Sequence, residues 1–328
     1  MEQLRTLIDA PELRAGLAAG IVALVACALV VGVRFLAARR TAAGRAGGVG
    51  TVTVLGIVGP ALVVATLAGL SGSGGLDEVW QVPTGVVVAL GALWLAGEVG
   101  SRTVPLVGGV LALVGGVILA GSATPVPPPA WTTVILVLGP ALAGTAVADF
   151  DRRRSRSGLG PQLLLISILG LYATVPDTEL VLVLLGAMVP LALLAWPRVW
   201  GRLGSGGAYA VTGVFLWITT IEGAPRGGSI VGGVATLALL LTEPLGRRLA
   251  PRPALDGAVG GAHGAATGGR LGGFGFVVAQ LLLAAYAARV AGRVDDPLVA
   301  VLLTVPMLAL GVYVTSGRPG HIRHRPGP

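Results

Sequence analysis

Long apolar segments separated by short loops are the feature that most constrains this chain. Only 12% of its 328 residues are charged, about half the share that a soluble domain carries. The longest segments match the length of helix that crosses a hydrocarbon core of about 30 Å. We therefore predict an all-α, polytopic helix bundle of about eleven transmembrane spans (range 10–12), with the lipid bilayer as its partner. The segments cover roughly 15–36, 49–70, 83–99, 104–122, 131–149, 161–175, 179–196, 207–222, 228–245, 271–290 and 297–315.

The distribution of arginine predicts the orientation of this bundle. All 23 basic residues are arginine, and 18 of them fall in segments that are cytoplasmic when the N-terminus lies outside. Each of these segments holds at least one arginine, and positively charged loops stay on the cytoplasmic side. This pattern predicts an N-out, C-in topology. Since the chain lacks lysine and is rich in alanine, glycine and valine, it is typical of a bacterial source, and we expect the plasma (inner) membrane.

Composition divides the chain into five regions. Residues 1–14 are predicted to form an N-terminal tail or a short interfacial helix, and residues 15–250 hold the first nine spans. A Gly/Ala-rich cytoplasmic loop at 251–270 has the composition of a flexible linker. Residues 271–316 form a C-terminal transmembrane hairpin, and residues 317–328 form a basic cytoplasmic tail.

Missing residue types exclude several classes of chemistry. Without lysine there is neither a P-loop lysine nor a Schiff-base lysine. Cys27 is the only cysteine, and the three histidines, His263, His321 and His324, lie outside the apolar segments. We therefore expect no disulfide, no metal and no cofactor, and we favour a non-enzymatic role over an enzymatic one. The net charge of +8 comes from arginines in the short loops between apolar segments, a pattern that reflects orientation in a membrane. Nucleic acid is therefore not an expected partner.

Five polar residues near or inside the spans are candidate contacts for a substrate or an ion. A charge inside a membrane is costly and usually functional, but each residue also has a structural role that the sequence favours. Glu98 is spaced to pair with Arg102 on one helix face. Asp177 and Glu179 lie at the start of a span, where an acid stabilises the free amides of the first helical turn. The side-chain amide of Gln280 is suited to a hydrogen bond with a neighbouring helix. The candidates are Glu98, Asp177, Glu179, Glu222 and Gln280.

Small residues and prolines inside the spans predict how the helices pack. Glycine and alanine recur every fourth residue in one span, and this spacing lets two helices approach closely. A proline inside a span removes a hydrogen bond and kinks its helix. Broken helices line transporter sites, although kinks also arise from ordinary packing. The small residues are Gly108, Ala112, Gly116 and Ala120, and the prolines are Pro60, Pro140, Pro190 and Pro306.

Three functions are compatible with these features. The favoured one is a permease or lipid-translocating carrier for a neutral or lipidic substrate, because the spans hold prolines but almost no charge. The second is a non-enzymatic scaffold or subunit of an envelope assembly, with other membrane proteins as partners. The third is a lipid-linked glycosyltransferase that uses outer-face carboxylates, beginning with Asp77 and Glu78, and a divalent metal.

Overall fold

The described part of the chain is entirely helical. The computed structural model describes residues 13–25, 27–28, 81–102, 105–122, 130–153, 159–175, 179–195, 203–223, 226–249, 273–291 and 293–315. Of these residues, 93% are helical and none forms a strand, so the predicted all-α fold is confirmed for them. The predicted span at 49–70, the loop at 251–270 and the tail at 317–328 lie outside the described residues.

Each described helix overlaps one of the predicted apolar spans. One span, 228–245, consists of two helices, because the α-helical pattern stops at Thr236 and Leu237. Within the described ranges, the helices are α1 (Leu13–Val25), α2 (Gln81–Arg102), α3 (Pro105–Gly121), α4 (Ala130–Arg153), α5 (Leu159–Tyr172), α6 (Glu179–Ala195), α7 (Gly204–Glu222), α8 (Gly227–Ala235), α9 (Ala238–Leu249), α10 (Gly273–Ala291) and α11 (Pro297–Thr315).

By length and composition alone, one helix among the described residues is long and apolar enough to cross a membrane. It is the stretch Ala130–Arg152 of α4, with 23 residues and a mean hydropathy of 1.7. Seven other helices are apolar but shorter, namely α1, α2, α3, α5, α6, α10 and α11.

The helix ends sort to two ends of the bundle. The end of α4 meets the start of α7, where Asp151 Oδ2 lies 3.0 Å from Gly204 N. The chain leaves α7 at the opposite end, where Gly228 N donates to Asp295 O at 3.3 Å. Because α2 and α4 finish in arginine-containing turns beside the start of α7, we call that end the basic end.

The predicted stripe of small residues on α3 lies against two helices. A Cβ on Gly108 would come within 2.8 Å of Ala96 O on α2, and one on Gly116 within 2.7 Å of Leu136 O on α4. Ala112 is fully buried between them, and the partly buried Ala120 packs against the same core. The absence of larger side chains along this line therefore sets how closely α3 approaches α2 and α4.

Three of the predicted prolines lie inside helices. They are Pro140 in α4, Pro190 in α6 and Pro306 in α11, whereas Pro60 lies outside the described residues. Since proline has no N–H, Pro140 leaves the carbonyl of Leu136 without its helical hydrogen bond. The chain of α3 passes that carbonyl at Gly116.

The outward surface of the bundle is apolar. Large side chains such as Leu142, Phe274, Leu298 and Leu302 are 70% to 83% exposed, while polar side chains such as Ser167 and Gln280 are fully buried. A large exposed apolar surface marks contact with lipid or with another protein.

Candidate functional site

The helix formed by α8 and α9 is interrupted near the middle of the predicted span 228–245. Leu237 N donates to Val234 O at 3.1 Å, which is the tighter 3₁₀ pattern, and α-helical bonding resumes when Leu241 N donates to Leu237 O at 3.0 Å. The local sequence favours this break, because two glycines at 232–233 precede it and glycine is a poor helix former. An interrupted helix offers a backbone carbonyl to partners outside its own helix.

Side chains from two other helices bind the carbonyl of Thr236 at this break. Ser167 Oγ on α5 lies 2.9 Å from Thr236 O, and Gln280 Nε2 on α10 lies 2.5 Å from it. Gln280 Nε2 also donates to Ser167 Oγ at 2.7 Å. All three residues are fully buried. Because each lies near the midpoint of its helix or helix pair, this central polar cluster (Ser167, Thr236 and Gln280) sits midway between the two ends of the bundle.

The Gln280 amide has one group without a partner among the described residues. Its two N–H groups are used by Thr236 O and Ser167 Oγ, while Oε1 is buried and accepts no hydrogen bond there. Turning the amide round would set Oε1 against Thr236 O, and both can only accept, so the network determines the orientation. A buried acceptor without a donor costs about 1–3 kcal/mol. The cluster therefore has capacity for a donor such as a hydroxyl or an N–H group.

Threonines on α7 line the neighbouring face of α8. A Cβ on Gly233 would lie 2.5 Å from Thr219 Cγ2, so these two helices are in close contact. Thr219 Oγ1 donates to Phe215 O at 2.7 Å, and Thr220 Oγ1 donates to Trp217 O at 2.8 Å. Both hydroxyl protons are held within their own helix, so these residues add polarity without adding a donor.

The buried carboxylates of the described residues lie away from the cluster. Asp151 and Glu222 belong to the last turns of α4 and α7, and they are 4% and 9% exposed. Glu243 is 2% exposed and follows Thr236 by two helical turns, which is about 10 Å along the axis. The chemistry available at the cluster itself is hydrogen bonding by neutral groups.

The predicted contact residues do not converge on one place. Gln280 belongs to the cluster, Glu98 lies in α2 toward the basic end, and Glu222 lies at the opposite end of α7. Asp177 lies outside the described residues, and Glu179 is described only as the first residue of α6. Among the described side chains, no group of three or more His, Cys, Asp or Glu residues is placed to hold a metal ion.

Two members of the cluster, Ser167 and Thr236, were not predicted from the sequence. A weak signal existed for both: Ser167 is the one serine or threonine in the run LLLISILGLY, and Thr236 follows paired glycines near the middle of its span. Neither signal identifies a site alone, because isolated Ser and Thr residues are common in membrane helices.

Comparison of the sequence with protein-family models and with curated proteins finds no match. Function therefore has to be argued from the geometry of the site rather than from a relative.

Proposed function

We propose that this protein is a polytopic membrane carrier that moves a neutral or lipidic substrate across the bacterial plasma membrane. The observation that carries this proposal is the interrupted helix α8–α9, whose Thr236 carbonyl is bound by Ser167 and Gln280 midway along the bundle. In many transporters, discontinuous helices near the middle of the bilayer form the sites for the substrate and the coupling ion.

Membrane placement is supported by the surface and by the length of one helix. Many large apolar side chains are exposed, for example Phe274 at 83% and Leu298 at 74%. The 23-residue apolar stretch of α4 is long enough to span a bilayer. Eleven spans with the N-terminus outside place the basic end at the cytoplasmic surface, where arginine is favoured.

The choice of a neutral or lipidic substrate follows from the groups at the cluster. A carbonyl, a hydroxyl and an amide are present there, and Gln280 Oε1, which has no partner among the described residues, has the capacity to accept a hydrogen bond. A cation-coupled carrier ordinarily places a carboxylate at its central site, whereas Glu243 lies about 10 Å away along the helix. A substrate hydroxyl or N–H group is the natural donor to Gln280 Oε1.

The cluster is closed in this conformation, so access requires movement. A Cβ on Gly170 would lie 2.9 Å from both Ala284 Cβ and Thr236 Cγ2, which shows how tightly α5, α8 and α10 meet. The single interrupted turn at Thr236 and Leu237 is the place where the helix bends most easily. We expect α8 and α9 to move relative to each other during transport.

A flux assay in proteoliposomes tests the proposal. Uptake of glycerol, erythritol and glucose is followed by stopped-flow light scattering, and movement of fluorescent phosphatidylethanolamine by quenching with dithionite. We expect faster movement of at least one probe than in protein-free vesicles. Gln280→Leu should slow that probe by about tenfold, the value of one good hydrogen bond.

Gln162→Leu is the matched control, because Gln162 lies in the first turn of α5 and is only partly buried. It should leave the flux unchanged. Failure of every probe to exceed the protein-free rate argues against a carrier for these substrates. Co-purification of another membrane protein at fixed stoichiometry then favours the scaffold function.

A further inference from the structure

A cleft at the basic end is separate from the central polar cluster. It lies between α2, α3, α4 and α7 and has a volume of about 230 Å³. Among the described residues that line it, α2 and α3 contribute only glycine, whereas the polar residues Thr145, Arg152, Ser205 and Tyr209 come from α4 and α7. Since glycine has no side chain, the first two helices form a backbone wall, and the polar groups all face the space from the other side.

The hydroxyl groups of the cleft are close enough to act together. Thr145 Oγ1 lies 2.6 Å from Tyr209 Oη and donates to Ala141 O at 2.6 Å. The Tyr209 proton is therefore directed at Thr145, a neutral acceptor. An anionic oxygen is a stronger acceptor than a neutral hydroxyl, so the Tyr209 hydroxyl is expected to turn toward an anion that enters the cleft.

The electrostatics of the cleft favour a negative ligand. Arg152 is the one charged side chain among the described residues that line it. Glu98, Asp149 and Asp151 are neighbours of lining residues in the sequence, but they do not line the space. The Asp151 carboxylate already caps the N-terminus of α7, whereas α3 also begins at this end and its N-terminus carries partial positive charge.

We propose that this cleft binds a phosphate group, carried either by an anionic lipid or by a soluble phosphate ester. A guanidinium with the hydroxyl groups of Ser205 and Tyr209 as further donors matches the oxygens of a phosphate. The volume is below the roughly 300–1,000 Å³ of pockets for drug-sized ligands, so it suits a headgroup. Basic pockets between membrane helices on the cytoplasmic side bind lipid headgroups. The lipid source rests on the proposed membrane location, but neither source requires transport.

Equilibrium binding to the full-length protein in detergent tests this site. The probes are phosphatidylglycerol, inorganic phosphate and glycerol 3-phosphate, with diacylglycerol as the phosphate-free control, and binding is followed by native mass spectrometry. Arg152→Gln should weaken binding by about tenfold or more, because a charged hydrogen bond is lost. Arg289→Gln, at an exposed arginine of the opposite end, should have no effect.

Tyr209→Phe provides a second, milder variant. Gly144 lies directly against the Tyr209 ring, with 2.8 Å between a Cβ at Gly144 and Tyr209 Cγ, and phenylalanine keeps this packing. Tyr209→Phe should weaken binding by about threefold to tenfold. If Arg152→Gln does not fold, Tyr209→Phe still tests the site.

The outcomes separate the two ligand sources and also the two proposals. If bound phosphatidylglycerol is not displaced by inorganic phosphate, the ligand is a lipid. If phosphate or glycerol 3-phosphate displaces it, the ligand is a soluble ester. Equal weakening by Arg152→Gln and Arg289→Gln, or equal binding of diacylglycerol, overturns the proposal. Since no flux is measured, a negative transport assay leaves this result unaffected.

Discussion

Asp151 at the end of α4 caps the first turn of α7, with its Oδ2 lying 3.0 Å from the backbone N of Gly204. Gly204 has a φ of 65°, a left-handed conformation that glycine adopts without steric cost. Gly160 of α5 packs directly against the Asp151 carboxylate, where a Cβ would collide with Oδ1. One buried side chain therefore connects the ends of three helices.

Asp151→Ala should lower the free energy of unfolding by about 1–2 kcal/mol, because a free amide and the positive end of α7 lose their carboxylate. Unfolding in increasing SDS, followed by circular dichroism, measures the change. Asp295→Ala is the control. Asp295 is 88% exposed and lies 3.9 Å from Arg226, and such surface ion pairs contribute little. Equal losses for both variants would show that Asp151 has no capping role.

Replacement of glycine by alanine should have opposite effects on stability at Gly116, which lies in the contact between α3 and α4, and at Gly91, which lies outside it. Gly116→Ala adds a Cβ at 2.7 Å from Leu136 O, so it should destabilise the fold by about 1–3 kcal/mol. Gly91→Ala places its Cβ where no atom lies within 4 Å and should stabilise α2 by about 0.5–1 kcal/mol. The same SDS titration compares them. Stabilisation by Gly116→Ala would contradict the close approach.

The central polar cluster predicts an unequal cost for two serine substitutions. Ser167→Ala removes the acceptor of one Gln280 N–H group and should destabilise the protein by about 1–3 kcal/mol. Ser122→Ala removes only a bond from Ser122 Oγ to Ile118 O in the preceding turn, and such local bonds contribute little to stability. If Ser122→Ala lowered the stability as much as Ser167→Ala, the hydrogen-bond network would be contradicted.

The proposed topology predicts which loops react from outside the cell. In a Cys27→Ala background, Asp296→Cys should react with an impermeant maleimide on intact cells, whereas Ser155→Cys should react only after permeabilisation. The prediction follows from the side of the membrane on which arginine accumulates. Labelling in the reverse order would invert the topology, and labelling of both in intact cells would exclude the alternation of spans.

The positions of the helices could be predicted from the sequence because the lengths of the apolar segments define them. The interruption at Thr236 and Leu237 could not, since leucine and alanine surround it and continue the apolar run. The two glycines at 232–233 favour a break but do not specify it, because it also depends on side chains from other helices, which no local pattern contains.

The candidate site could be predicted only at Gln280. This residue stands out as an amide in an apolar span, but its partners lie 113 and 44 residues away in sequence. Helices that are apolar on every side carry no periodicity that shows which face meets a neighbour. The meeting of Ser167, Thr236 and Gln280 is therefore a tertiary property of the fold.

The uncharged middle of the described bundle has an electrical consequence. Moving one elementary charge through 100 mV involves about 2.3 kcal/mol, and the residues around Thr236 carry no such charge to move. In the proposed carrier, a local change at the cluster around a neutral substrate would therefore move no charge through the membrane potential. Net flow through such a carrier would follow the substrate's own concentration gradient, in whichever direction that gradient points.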